Sequence, residues 1–145
     1  MKEQKVLTVF VLLADLVLIL LLMPVAQASY GNNSTVVVSA SKENRVVSFN
    51  LSNGIDSRPI YGFVITIYAH GHFSEITETP SGWSTGRHGY HAVLWTTKNY
   101  PIEPGSAEDN FAIEVTQIGT YTIGWSVTDN TLQPVAWGTI TIKVS

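Results

Sequence analysis

The sequence predicts an all-β protein: a two-sheet antiparallel sandwich of seven to eight strands, preceded by one N-terminal apolar helix. Three observations carry that reading. From Val36 onward, apolar residues recur at every second position, and no stretch recurs at helical spacing. Gly, Pro, Asn and Asp interrupt these runs at short intervals. Residues 29–145 show no linker, repeat or low-complexity tract, which suits a single domain.

The N-terminal element reads as an export signal. Met1-Lys2-Glu3-Gln4-Lys5 is followed by 18 apolar-rich residues, 6–23, and then by Pro24 and Ala26-Gln27-Ala28. A basic start, an apolar stretch and a small-x-small end are the three parts of a secretory signal, with cleavage expected between Ala28 and Ser29. Asp15 interrupts the run at a cost of about 2.5–3.5 kcal/mol. The 14 Leu, Val, Ile and Phe residues of the run return about 0.3–0.6 kcal/mol each, so insertion wins. The run is long enough to serve either as residues 1–28 of a cleaved signal peptide or as a retained transmembrane anchor. Both readings put residues 29–145 on the extracytoplasmic side, secreted or tethered. Membrane contact is expected only through residues 6–23.

The strands follow in order. Val36, Val38 and Ala40 alternate with Val37, Ser39 and Ser41. Val47, Phe49 and Leu51 alternate with Ser48 and Asn50. Phe63, Ile65, Ile67 and Ala69 share one face; Val64, Thr66, Tyr68 and His70 share the other. Residues 73–78 form an optional eighth strand. Val93 and Trp95 mark the run 91–97, and Phe111, Ile113 and Val115 mark the next. Tyr121, Ile123, Trp125 and Val127 alternate with Thr, Gly and Ser, and Ile140, Ile142 and Val144 close the chain. Ser52-Asn53-Gly54, Thr79-Pro80-Ser81-Gly82 and Thr128-Asp129-Asn130 supply turns.

Composition narrows the function. Residues 29–145 hold six Lys/Arg against nine Asp/Glu, with no basic cluster, so a nucleic-acid partner is not expected. The chain has no Cys, which excludes disulfides, thiolate catalysis and thiolate metal sites.

Ile118-Gly119-Thr120-Tyr121, feeding an alternating strand, resembles the tyrosine corner of immunoglobulin-like domains. Ile123 stands where true immunoglobulin domains carry their second Cys. The resemblance implies a disulfide-free immunoglobulin-like or fibronectin-type sandwich. Asn50-Leu51-Ser52-Asn53, Ile60-x-x-Phe63-x-Ile65, Pro80-Ser81-Gly82-Trp83, Ile102-Glu103-Pro104-Gly105-Ser106 and Phe111 follow in sequence. That order is similar to the sandwich domains of prokaryotic exported surface proteins, including PEP-CTERM-type proteins, although their C-terminal sorting helix is missing. This resemblance implies compartment and fold and no activity.

Candidate functional residues fall into three groups. His70, His72, His88 and His91 all lie between positions 70 and 91, and neutral imidazoles bind Cu or Zn. Glu75 and Glu78 stand near enough to add a carboxylate. Trp83, Tyr90, Tyr100 and Trp137 are the aromatics expected to contact a ligand such as a glycan; Trp95 and Trp125 are in phase with the core. Asn32, Asn33 and Asn50 begin N-x-S/T glycosylation motifs. Neither G-x-S-x-G nor H-E-x-x-H occurs, so an enzyme is not expected. The expected function is a non-catalytic surface, adhesion or assembly module, with other surface proteins or its own copies as partners. Alternatives are a metal-binding protein built on the histidines, a carbohydrate-binding module, and a filament subunit that lends residues 29–41 to a neighbour.

Overall fold

A computed structural model of the chain describes residues 27–28, 36–68 and 71–145. The apolar run 6–23, Asn32, Asn33 and His70 lie outside the described residues. Among the described residues no helix is long and apolar enough to cross a membrane.

The described residues form ten strands in two five-stranded sheets. They are β1 (Gln27–Ala28), β2 (Val37–Glu43), β3 (Val46–Ser52), β4 (Gly62–Ile67) and β5 (Phe73–Glu78). Then come β6 (Ser84–His88), β7 (Ala92–Thr96), β8 (Ala107–Val115), β9 (Gly119–Thr128) and β10 (Pro134–Val144). The first sheet runs β1-β2-β3-β8-β5 and the second β10-β9-β4-β7-β6. Every ladder is antiparallel.

Period-two alternation decides which face each strand buries. Val47, Phe49 and Leu51 of β3 face Phe63, Ile65 and Ile67 of β4 across the interior. The centre is aromatic. Phe63 stacks on Trp95 at 5.6 Å between centroids, and Phe111 meets both rings edge-on at 5.1 and 5.5 Å. Such pairs add about 0.5–1.5 kcal/mol each beyond the area they bury. Trp95 and Trp125 are core residues, as their phase predicts.

The predicted tyrosine corner is present. Tyr121 is fully buried, and its hydroxyl donates to the Gln117 carbonyl at 2.6 Å and accepts from the Gln117 N–H at 3.3 Å. This ties the β8–β9 connection to the strand that follows it.

Three expectations change. The stretch from Pro80 to Tyr90, where no strand is expected, contains β6. Ser84-Thr85-Gly86-Arg87-His88 is exposed at every position and so has no apolar alternation to read. Its ladder to β7 makes it a strand, and Arg87 lies over the Phe73 ring at 5.3 Å. Trp83, expected to contact a ligand, is 8% exposed and packs edge-on against Phe111 at 5.3 Å. It plugs the core where β6 begins. Finally, β2 is paired with β3 from Val37 to Glu43, with Val38 and Ala40 buried. Lending this segment to a neighbour would break that ladder, which counts against strand exchange. β1, paired to β2 at Val37 and Val38, consists of residues that cleavage after Ala28 would remove.

Register also sorts the loops. Gly62 pairs with both Thr96 and Thr128, Ser84 pairs with Thr96, and Ser52 pairs with Ala107. Loops 53–61, 79–83, 97–106 and 129–133 therefore gather at one end. The opposite end holds the connections 88–92 and 115–119.

Candidate functional site

The outward face of the second sheet is assembled row by row from the ladders. Trp137, Ser126, Val64, Leu94 and Gly86 lie side by side across all five strands. The next row is Thr139, Gly124, Thr66, Ala92 and His88. Thr141 and Thr122 follow, with Tyr68 tied to Thr122 by its N–H at 3.0 Å. On the other side, Thr128, Gly62, Thr96 and Ser84 complete the face. These rows contain no Asp, Glu, Lys or Arg; the first charge on the face is Lys143, one row further on, in register with Thr120. The first sheet differs: a hollow of about 490 Å³ there is lined by Ser39, Ser48 and Asn50 together with Glu78 and Asp109.

Two large aromatics rise from the uncharged rows. Trp137 is 51% exposed and Tyr68 67% exposed. They line one groove of about 280 Å³ with Thr66, Ser126 and Thr139. Gly124 makes this possible. A Cβ there would sit 2.5 Å from the Tyr68 hydroxyl and ring edge, so the bare backbone lets the ring lie down on the sheet. Trp137 points outward because it is one residue out of phase with Ala136 and Ile140, which are buried.

The loop end is a second surface. A cavity of about 690 Å³ opens between Tyr61, Lys98, Asn99 and Leu132. Its walls are fixed by hydrogen bonds. The Thr97 hydroxyl donates to the Gly82 carbonyl at 3.0 Å and accepts from the Tyr100 N–H at 3.1 Å. The Tyr100 ring covers Gly82, whose φ is +78° and whose Cβ would lie 2.2 Å from the ring. Tyr100, expected as a ligand contact, thus also closes a loop. Asp129 Oδ1 accepts from the Thr131 N–H and hydroxyl and from the Gln133 N–H at 2.7–3.0 Å, and Arg58 meets Oδ2 at 2.8 Å. The Thr131 hydroxyl foremost, then those N–H groups and the Arg58 charge, outweigh partial burial and hold the Asp129 carboxyl below its ordinary pKa.

The histidines are only partly brought together. His72 and His91 approach edge-on at 5.7 Å between ring centroids, and Tyr90 stands 5.9 Å from His72. All three side chains are exposed. His88 belongs to β6, in register with Ala92 in one of the uncharged rows, because residues 89–91 reverse the chain between it and His91. Among the described residues no three His, Asp or Glu side chains converge as a metal set. Asn50 is exposed on β3, at the shift of register between Phe49 and Leu51.

Trp137 is legible in the sequence as a ligand-contacting aromatic, whereas the roles of Tyr68 and Gly124 are not. The outward phase of Tyr68 was readable; its position beside Trp137 requires β4, β9 and β10 to be neighbours. Those of Tyr61, Lys98 and Leu132 are not legible either, and only the turn residues beside them give a signal.

The two sheets, their antiparallel ladders and the tyrosine corner define an immunoglobulin-like β-sandwich. Among solved structures, the chain is similar to the crystal structure of an uncharacterized protein from Nocardia farcinica with an immunoglobulin-like fold. The TM-score is 0.57 at 17% identity, over 76% of this chain and 97% of that one. No protein-family model matches the chain. No curated protein matches it.

Proposed function

We propose that this chain is a non-catalytic extracytoplasmic module that acts at the cell surface in adhesion or assembly. One observation carries the reading: an immunoglobulin-like sandwich turns a five-stranded face outward whose central rows hold no charged residue, with Trp137 and Tyr68 standing on it. Exposed aromatics cost solvation unless a partner covers them, and contact surfaces are enriched in Trp and Tyr while depleted of charge at their centre. The export signal over residues 1–28 supports the compartment, and so do the motifs shared with exported surface proteins. Fractionation of producing cells tests both parts. The chain is expected outside the cytoplasm and retained on the cell surface, with Trp137→Ala lowering retention at unchanged abundance. A cytoplasmic chain, or retention indifferent to Trp137, refutes the proposal.

The contact between His72 and His91 favours a second reading, binding of Cu²⁺ or Zn²⁺. Native mass spectrometry with each metal added tests it. A stoichiometric adduct lost in His91→Ala supports it; a metal-free chain removes it.

A further inference from the structure

We infer that the uncharged rows on the outward face of the second sheet bind a neutral glycan chain, with one sugar ring seated in the groove between Tyr68 and Trp137. This rests on the surface-module reading and names its ligand.

The charge pattern comes first. Four rows of the face hold no ionised carboxylate, ammonium or guanidinium group, and Lys143 is reached only in the row beyond them, whereas the hollow on the other sheet is lined by Glu78 and Asp109. A charged polymer laid here would leave its own charges unpaired, so the complementary partner is neutral. The hydrogen-bonding groups come next. Thr66, Ser126 and Thr139 offer hydroxyls to the groove. A hydroxyl both donates and accepts, which suits a ligand made of hydroxyls. The aromatics complete the set. The C–H face of a sugar ring is polarised positive by its oxygens and settles on the negative face of an aromatic ring.

Size separates this occupant from a second copy of the chain. Five strands at about 4.8 Å span roughly 20 Å, and three rows along the strands span about 14–20 Å. That patch of roughly 300–400 Å² is about half the ~800 Å² per partner that a stable protein interface needs. An extended peptide fits less well. The three central strands are paired on both sides, so a peptide lying flat on them would give up water at its backbone without gaining a ladder.

Gly124 sets the groove's shape. The nearest atoms that a methyl group at this position meets belong to the far end of the exposed Tyr68 side chain, which can swing away. Gly124→Ala is therefore expected to fold normally while displacing one wall of the site.

The test is affinity electrophoresis of the full-length chain through gels containing a neutral glucan, a neutral mannan or soluble chitin oligomers, with polygalacturonate as the charged probe. At least one neutral polymer is expected to retard the chain and polygalacturonate is not. Trp137→Ala and Gly124→Ala are each expected to weaken the retardation about ten-fold, with thermal unfolding midpoints near that of the parent. No retardation by any neutral polymer overturns the inference, as does retardation indifferent to both substitutions. Surface retention that depends on Trp137 but survives periodate oxidation of the cell glycans also overturns it, and leaves the surface-module reading standing. Loss of retention dependence altogether sinks that broader reading instead.

Discussion

Replacing Tyr121 by Phe removes one oxygen from the interior and leaves the ring in place. That oxygen makes two hydrogen bonds to Gln117, at 2.6 and 3.3 Å. Each is worth about 0.5–1.5 kcal/mol net, so the pair sets a range of about 1–3 kcal/mol. Gln117 lies at an exposed position, where water can replace part of what its backbone loses. The expected cost is therefore in the lower part, about 1–2 kcal/mol. A domain of this size loses roughly 4 °C of midpoint per kcal/mol, which puts the fall in Tm at about 4–8 °C. Urea denaturation of the Tyr121→Phe variant beside the parent measures it, with the m-value expected to be unchanged. A stability difference below about 0.3 kcal/mol would mean that the corner contributes nothing once water competes, and would refute the reasoning.

Further outcomes follow from burial and charge. Trp83→Ala opens a hole beside Phe111 and should cost about 3–5 kcal/mol, whereas Trp137→Ala should cost about 1 kcal/mol or less; equal losses by urea melts would contradict the burial of Trp83. Asp129 has a folded-state pKa below its ordinary 3.8, so its contribution to stability is complete above that value and is lost as pH falls through the lower, folded-state pKa. Asp129→Asn should be less stable than the parent at pH 7, and the gap should narrow as the pH falls below 3.8; a gap constant with pH would assign the effect to something other than the carboxylate. Intact mass of protein from producing cells should lack residues 1–28 if the signal is cleaved, and Asn50→Gln should remove one glycan mass if that motif is used; an unmodified chain identical in mass to its Asn50→Gln variant, apart from the substitution, rules glycosylation at Asn50 out.

The strands with an apolar face were legible because burial on one side of a sheet writes itself into every second residue. β9 shows this best: Tyr121, Ile123, Trp125 and Val127 are all buried. The tyrosine corner was legible for a related reason, since its two partners are four residues apart. β6 was not, because an exposed edge strand has no face to bury and exists through its ladder to β7. Trp83 was misread because a loop residue has no phase; only the position of Phe111, contributed by the other sheet, decides that it is inside.

The binding face divides along the same line. The sequence by itself determined that Thr66, Tyr68, Ser126 and Thr139 turn away from the core, because local alternation settles which side of a strand a residue occupies. Only the tertiary structure decided that these residues and Trp137 share one groove, because strand order and register are set by packing among segments far apart in sequence, Thr66 and Thr139 among them. Alternation fixes a direction for each side chain, and pairing fixes its neighbours.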